Sequence, residues 1–242
     1  MKGIRLNEKL DINRKQYPLN IPALNHFKEL VFDSPVTFLV GENGMGKSTL
    51  IEAIAICMGL NAEGGSSGFN FSTKASHSNL FEYLITVRGA RRNKDGFFLR
   101  AESFYNVITN MESLNGGGPP IEMYYGGIPL HEVSHGEGFM RLLMHRCHGQ
   151  SFFVFDEPEA ALSPLSQIKM LIRIHQLVKE GSQFIISTHS PILMAYPGAR
   201  IYQLDESGIH TAQYDETEHY RLMKYFLNNT ENYLKELGIS TL

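Results

Sequence analysis

The stretch Gly41 to Thr49, GENGMGKST, sets three glycines, a lysine and two hydroxyls in the spacing G-x-x-x-x-G-K-[ST]. That spacing suits the binding of a polyphosphate. Gly41, Gly44 and Gly46 let the backbone turn tightly and approach an anion without side-chain clashes. Beside Asn43, the amides from Gly44 to Thr49 are expected to point inward, where a helix N-terminus adds positive partial charge. Lys47 is long enough to reach the outer phosphates, and the Ser48 hydroxyl is a ligand for Mg²⁺. A glycine-rich turn with a chance Lys-Ser pair would look the same in isolation. The flanks argue against that. Val36 to Val40 is a short apolar, β-branched run that suits a buried strand, and Leu50 to Cys57 suits a buried helix.

A second set of chemically capable groups lies further along. Ser151 to Asp156, SFFVFD, is an apolar run closed by Asp156 and Glu157. Such a run reads as a buried parallel strand whose C-terminal end faces the ligand crevice. Asp156 is then placed for the Mg²⁺ shell, and Glu157 to take a proton from an attacking water. The alternative is a pair of helix N-terminal acids ahead of Pro158. Gln183 to Ser187 is another buried strand, ending in Thr188-His189-Ser190 at the same sheet edge. His189 there is a candidate for touching the terminal phosphate, although an isolated histidine is more often structural. Tyr17, about 30 residues before Lys47, either stacks on an adenine ring or packs at a strand end.

The elements that must position these groups follow from pattern. At 242 residues with 43% hydrophobic composition, the chain can fill one α/β domain. Residues 1–40 read as β structure punctuated by Pro18, Pro22 and Pro35, with Ile4, Leu6, Leu10 and Ile12 facing a core. Residues 61–79 are Gly/Ser-rich and read as a flexible loop. Leu80 to Gly89 and Gly96 to Arg100 are expected to pair as a hairpin carrying Arg88, Arg91, Arg92, Lys94 and Arg100. That basic tip is either simply solvated or a contact for nucleic acid or an acidic partner. A helix is expected from Glu102 to about Leu114, broken by NGGGPP at Asn115 to Pro120. Ser134 is a plausible N-cap with Glu137 in capping-box position, opening a helix to His145. Apolar spacing predicts a helix over Leu165 to Lys179. Ile201 to Leu204 and Gly208 to Thr211 suit a hairpin. Two amphipathic helices, Glu216 to Leu227 and Thr230 to Leu237, are expected to dock on the body or to bind a partner.

Composition excludes some classes. A net charge of −3 gives no global attraction to nucleic acid or anionic lipid. Cys57 and Cys147 lie in apolar helical stretches and read as buried thiols. No apolar run reaches transmembrane length and no signal-peptide pattern opens the chain, so membrane insertion is not expected and a cytoplasmic location is.

The order of motifs resembles the ATP-binding-cassette (ABC) superfamily of P-loop ATPases. GENGMGKS comes first. VSHGE at Val133 to Glu137 resembles the family's LSGGQ or LSGGE signature. FFVFDE resembles Walker B plus a catalytic glutamate, Glu159 to Ser163 the D-loop, and Ser187 to Ser190 the switch-histidine segment. Within the superfamily, FDEPEAALSP and ISTHSPILMAYPGARIY look like stand-alone predicted ATPases of AAA/ABC type, near the recombination-repair and structural-maintenance-of-chromosomes branch, more than transporter subunits.

The resemblance implies a single ABC-type head over residues 1–242. Its sheet would be mostly parallel, with a small antiparallel β subdomain within about residues 1–40 and a signature-helix region at about 102–148. It implies ATP and Mg²⁺ as ligands and hydrolysis of ATP on a transient head-to-tail homodimer. Lys47, Ser48, Asp156, Glu157 and His189 would act in cis, while Ser134 and the Gly136 amide would contact the triphosphate held by the partner. The output would be DNA maintenance, defence or another soluble process. The same parts would suit an ATP-gated switch controlling an effector protein or nucleic acid, or, with less support in the sequence, a transporter subunit. A P-loop kinase would leave the signature and His189 without a role. Fewer than about 90 residues separate phosphate loop and signature, too few for a long coiled-coil tether.

Three positions depart from the pattern. His135 replaces the first signature glycine, Ser163 the D-loop aspartate, and Glu102, in LRAES, stands where a glutamine loop would contribute to the Mg²⁺ shell.

Overall fold

The computed structural model describes residues 1–66, 78–90, 93–104, 109, 126–127 and 132–239. A six-stranded sheet organises them. Its strands are β3 (Val36–Val40), β5 (Asp95–Arg100), β6 (Ser151–Asp156), β7 (Gln183–Ser187), β8 (Arg200–Asp205) and β9 (Gly208–Ala212), in the spatial order β5-β6-β7-β3-β8-β9. All neighbours are parallel except the β8–β9 pair. The inner strands are apolar on both faces, as a sheet covered on both sides requires. Alternate residues supply two separate cores. Phe38, Phe97, Phe153, Phe155 and Phe184 face one side, and Leu39, Phe98, Phe152, Val154 and Ile185 the other.

Helix α2 (Lys47–Cys57) covers the second face with Leu50, Ile51 and Ile54. Helices α3 (His135–His145) and α4 (Pro164–Lys179) cover the first with Phe139, Leu142, Met170 and Ile174. The short helix α1 (Pro22–Asn25) lies beside the phosphate loop, with Ile21 and Leu24 against Gly46.

The small antiparallel sheet is present, in the order β2-β1-β4, with β1 at Gly3–Leu6, β2 at Glu29–Val31 and β4 at Leu84–Val87. Its third strand thus comes from beyond α2, outside the expected span of residues 1–40. This also corrects the expected hairpin. β4 pairs with β1, whereas β5 pairs in parallel with β6 as an edge of the main sheet. The apolar run Phe97 to Leu99 is fully buried there, which a solvated hairpin could not offer. Residues 80–83, expected as strand, belong to a 3₁₀ turn, Asn79–Tyr83, capped by Ser78. Ile4 and Leu6 are buried as expected, but Leu10 is 41% exposed. Arg91 and Arg92, most of the helix expected after Glu102, the NGGGPP loop and most of the loop at 61–79 lie outside the described residues.

After the short helix α5 (Pro191–Met194), the C-terminal helices α6 (Glu218–Asn228) and α7 (Thr230–Glu236) form as expected but do not bury their apolar residues. Leu222, Tyr225 and Leu227 remain 54%, 49% and 67% exposed. Among the described residues, no helix is long and apolar enough to cross a membrane.

Candidate active site

Five parallel strands end on one side of the sheet, and the chemically capable groups collect there. β3 runs into the phosphate loop. Gly41 adopts φ +144°, and a Cβ on it would stand 2.1 Å from the Leu204 carbonyl oxygen, so only glycine fits. Gly46, at φ +88°, is the residue before α2 and is hemmed in by Ile21 and Leu24. Glu42, Asn43 and Gly44 are exposed at the rim, and Ser48 and Thr49 sit half-buried on the first turn of α2.

Lys47 is only 4% exposed, and its Nζ donates to the carbonyls of Gly41 (2.8 Å) and Glu42 (3.0 Å). Burial pulls its pKa down, while Glu157, Asp156, Glu42 and Glu159 oppose that shift. A buried cation ringed by acids and framed by loop amides has the polarity that a polyphosphate requires.

β6 and β7 supply the acids and their supports. Asp156 ends β6, 6% exposed. Its Oδ1 lies 3.4 Å from Ser48 Oγ and also accepts from Ser187 Oγ at the end of β7. Burial pushes the Asp156 carboxyl up, against the stabilising pull of Ser187 and Arg100. A hydroxyl and a carboxylate oxygen converging in this way match the hard oxygen ligands that Mg²⁺ takes alongside phosphate oxygens and water. The donor set therefore fits Mg²⁺ held jointly with a nucleotide. Consistently, no cluster of three or more His, Cys, Asp or Glu suited to an all-protein metal site occurs among the described residues.

Glu157 holds a left-handed backbone at φ +48°, which costs a non-glycine residue about 1 kcal/mol. Its amide is fixed by Ser187, through the carbonyl at 3.1 Å and Oγ at 3.2 Å. The turn aims the carboxylate at His189, whose Nε2 lies 3.4 Å from Glu157 Oε1. The His189 amide in turn donates to Glu159 Oε1 at 2.5 Å. Glu157 takes the N-cap position of the 3₁₀ turn Pro158–Ala161, but its side chain makes no capping hydrogen bond. It is a strained residue held over the sheet edge.

Four contributors escaped the sequence. Arg100 ends β5 in register with Asp156; its Nε lies 3.4 Å from Asp156 Oδ2 and its NH1 2.8 Å from Glu52 Oε2. Reading β5 as half of a hairpin hid this neighbour. Ser187 and Glu159, which open the switch-histidine and D-loop segments but were given no role of their own, brace Asp156, Glu157 and His189. His219, on α6, bonds His189, and a histidine in an amphipathic C-terminal helix carries no signal of that kind.

Other expected residues are placed differently. Glu102 is exposed in the turn beyond β5, and among the described residues no hydrogen bond or ion pair ties its carboxylate to Asp156 or Ser48. Arg100 reaches Asp156 instead. Tyr17 is 60% exposed on the turn before α1 and is not packed at a strand end. Ser134 caps α3 by accepting from the Glu137 amide at 3.3 Å, and stands exposed. Gly136 lies so close to the 3₁₀ turn Pro158–Ala161 that a Cβ would stand 2.5 Å from the Ala161 carbonyl oxygen. His135 stacks on Phe104 at 5.2 Å, which gives the bulkier signature residue a packing role. Ser163 caps α4 through the Ser166 amide at 3.3 Å. Cys57 and Cys147 are free thiols whose pKa values burial raises to about 11 and about 12, so neither is poised for chemistry.

Both stretches that carry these groups match known families. Residues 17–112 match a family described as an AAA domain. Residues 124–195 match one described as "AAA domain, putative AbiEii toxin, Type IV TA system". A Haemophilus influenzae protein described as an uncharacterized ABC transporter ATP-binding protein is 25% identical over 208 residues, covering 76% of this chain and 74% of that one. Among solved structures, the SMC head domain from Thermotoga maritima aligns with a TM-score of 0.47 at 16% identity, covering 88% of this chain and 98% of that one. The cbiO1 component of an ABC transporter complex from Clostridium perfringens aligns with a TM-score of 0.44 at 16% identity, covering 87% and 91%. With a phosphate loop between β3 and α2, acids at the end of β6, and AAA-domain matches on both stretches that carry them, the chain is similar to the ABC-type P-loop ATPases, and these matches support ATP hydrolysis.

Proposed function

We propose that this ATPase works as a head-to-tail homodimer, closing around Mg²⁺-ATP and opening after hydrolysis. The observation that carries the reading is the convergence of Lys47, Ser48, Asp156, Glu157 and His189 at one sheet edge, while Ser134 is exposed on a separate helix N-terminus. Among the described residues, no hydrogen bond joins Ser134 to the phosphate loop of its own chain. An exposed, capped helix N-terminus favours an anion, and two copies packed head to tail can bring it over the partner's phosphate loop.

In this reading the amides from Gly44 to Thr49, with Asn43 at the rim, cradle the phosphates, and Tyr17 offers its exposed ring to the adenine. Lys47 neutralises the outer phosphates. Ser48 and Asp156 hold Mg²⁺, which supplies positive charge against the charge developing on the phosphoryl oxygens. Glu157 orients the attacking water and takes its proton, His189 fixes the terminal phosphate, and Ser134 with the Gly136 amide closes the site from the partner copy. The process served is soluble, in DNA maintenance or defence, and the toxin–antitoxin wording of the second family supports defence.

Light scattering of Glu157→Gln, with and without Mg²⁺-ATP, tests the dimer. A mass that doubles only with nucleotide is expected. A monomer that binds ATP under both conditions would overturn it.

The description of the Haemophilus relative favours a second reading, an ATPase subunit of a transporter. Recovery of the native chain in a membrane fraction with an integral membrane partner would establish that reading. Recovery free of membrane components would remove it.

A further inference from the structure

We propose that His219 is a positioning residue for hydrolysis: it sets the tautomer and orientation of His189, so that the C-terminal helix α6 is part of the catalytic machinery. The proposal rests on the reading of His189 as the residue that touches the terminal phosphate.

The geometry is a chain of polar contacts. His219 Nε2 lies 2.7 Å from His189 Nδ1, with ring centroids 4.8 Å apart, and 3.9 Å from Glu42 Oε1 on the phosphate loop. His189 Nε2 lies 3.4 Å from Glu157 Oε1. Only one proton fits between two imidazole nitrogens at hydrogen-bond distance, which leaves two arrangements. If His189 donated from Nδ1, its bare Nε2 would face a carboxylate. His219 would then carry its proton on Nδ1, which is buried without a hydrogen-bond partner. A buried orphan N–H is the costlier defect. If His219 donates from Nε2, that same proton faces Glu42. His189 Nε2 then carries a proton towards Glu157 and the phosphate side of the site. His189 Nε2 is likewise buried without a hydrogen-bond partner, but a proton there faces a carboxylate oxygen 3.4 Å away, so His219 makes His189 a donor at Nε2. An orienting partner behind a catalytic imidazole is a familiar way to fix its tautomer.

The fold holds His219 in place with some rigidity. Tyr214, just before α6, donates from its hydroxyl to the Pro191 carbonyl at 3.0 Å, two residues past His189. Thr217, at the helix cap, is 1% exposed and donates to the Tyr214 carbonyl at 2.8 Å. Beside the dyad, Leu222, Met223, Phe226 and Tyr233 line an apolar cavity of about 260 Å³ with the two histidines.

The charged and titratable groups around the dyad are Glu157 and Glu159 after β6, Lys47 on α2, Glu42 on the phosphate loop and Tyr233 on α7. Burial holds His189 below its ordinary pKa, and Lys47 and His219 add to that, against Glu157. Hydrolysis should therefore survive at mildly acidic pH and fail when His189 takes a second proton and can no longer accept from His219.

The test is phosphate release by the full chain from about pH 5.5 to 8.5, with ATP affinity measured alongside. In His219→Leu, kcat should fall about 10-fold with ATP affinity within about twofold of wild type. In His219→Gln, whose amide can donate as Nε2 does but does not titrate, the rate should return to within about threefold. Its acid limb should move to higher pH, because the coulombic effect of His219 that helps to hold the His189 pKa down is gone. Wild-type kcat and an unmoved acid limb in His219→Leu would overturn the proposal. If that variant folds poorly, an unmoved acid limb in His219→Gln does so alone. His189→Ala separates the two readings. Wild-type turnover there would mean that the role of His189 itself is wrong. A slow His189→Ala beside a fast His219→Leu would remove only His219.

Discussion

Lys47 stands among four acids, and each raises its pKa against the cost of burial. The balance keeps a cation where the phosphates are to bind, and no neighbouring side chain can replace it. Lys47→Ala is expected to weaken ATP binding at least about 100-fold, about 2.8 kcal/mol, measured by titration of a fluorescent ATP analogue. An unchanged affinity would mean that the loop amides alone hold the nucleotide. The phosphate-loop residues were legible in the sequence because their spacing is local: the same nine positions build the turn and the site. Asp156 and Glu157 were legible because two acids closing an apolar run mark the C-terminal end of a buried strand. Arg100 and His219 were not. One depends on which strand lies beside β6, the other on where a distant helix comes to rest, and neither is encoded by spacing.

Elements hold these residues through a few joints. One is the ion pair between Arg146, at the C-terminal end of α3, and Asp95, at the start of β5. Burial pushes the Asp95 carboxyl up, but Arg146 more than offsets this and holds it below its ordinary value. An acid whose pKa is depressed on folding adds stability above its unfolded pKa. That stability is lost as pH falls through the lower, folded value. Asp95→Asn is therefore expected to cost about 1 kcal/mol near neutral pH, with the gap from wild type closing below about pH 4, as read by urea unfolding. A gap independent of pH would assign the loss to packing. The strands β6 and β7 match the expected spans because runs such as SFFVFD and QFIIS can only be buried strands in a chain with a phosphate loop. β5 was read correctly as a strand but given the wrong partner, since an apolar strand does not record its neighbour.

At the scale of the whole molecule, the two halves of the proposed site lie on different elements of one chain. Gly136 is pressed against the turn Pro158–Ala161, whereas Ser134 faces outward. Mixing Ser134→Arg and Lys47→Ala chains should therefore restore activity, with about one working site in each mixed dimer. Recovery should peak near equal amounts in a phosphate-release assay. No recovery at any ratio would argue against sites shared between copies. The exposed apolar side chains of α6 and α7 were expected to dock, because helical spacing shows that one face is apolar without showing what it meets.

By itself the sequence determined the class of ligand, the buried strands and the order of the chemical groups along the chain. Each of these follows from patterns within about ten residues, where backbone geometry leaves few choices. Tertiary structure alone decided that β5 joins the central sheet and brings Arg100 to Asp156, and that β4 completes the small sheet. It also decided that His219 crosses from the C-terminal helix to His189. Those pairings join residues far apart in the chain, and they arise from the competition among burial, strand order and hydrogen-bond satisfaction over the whole fold.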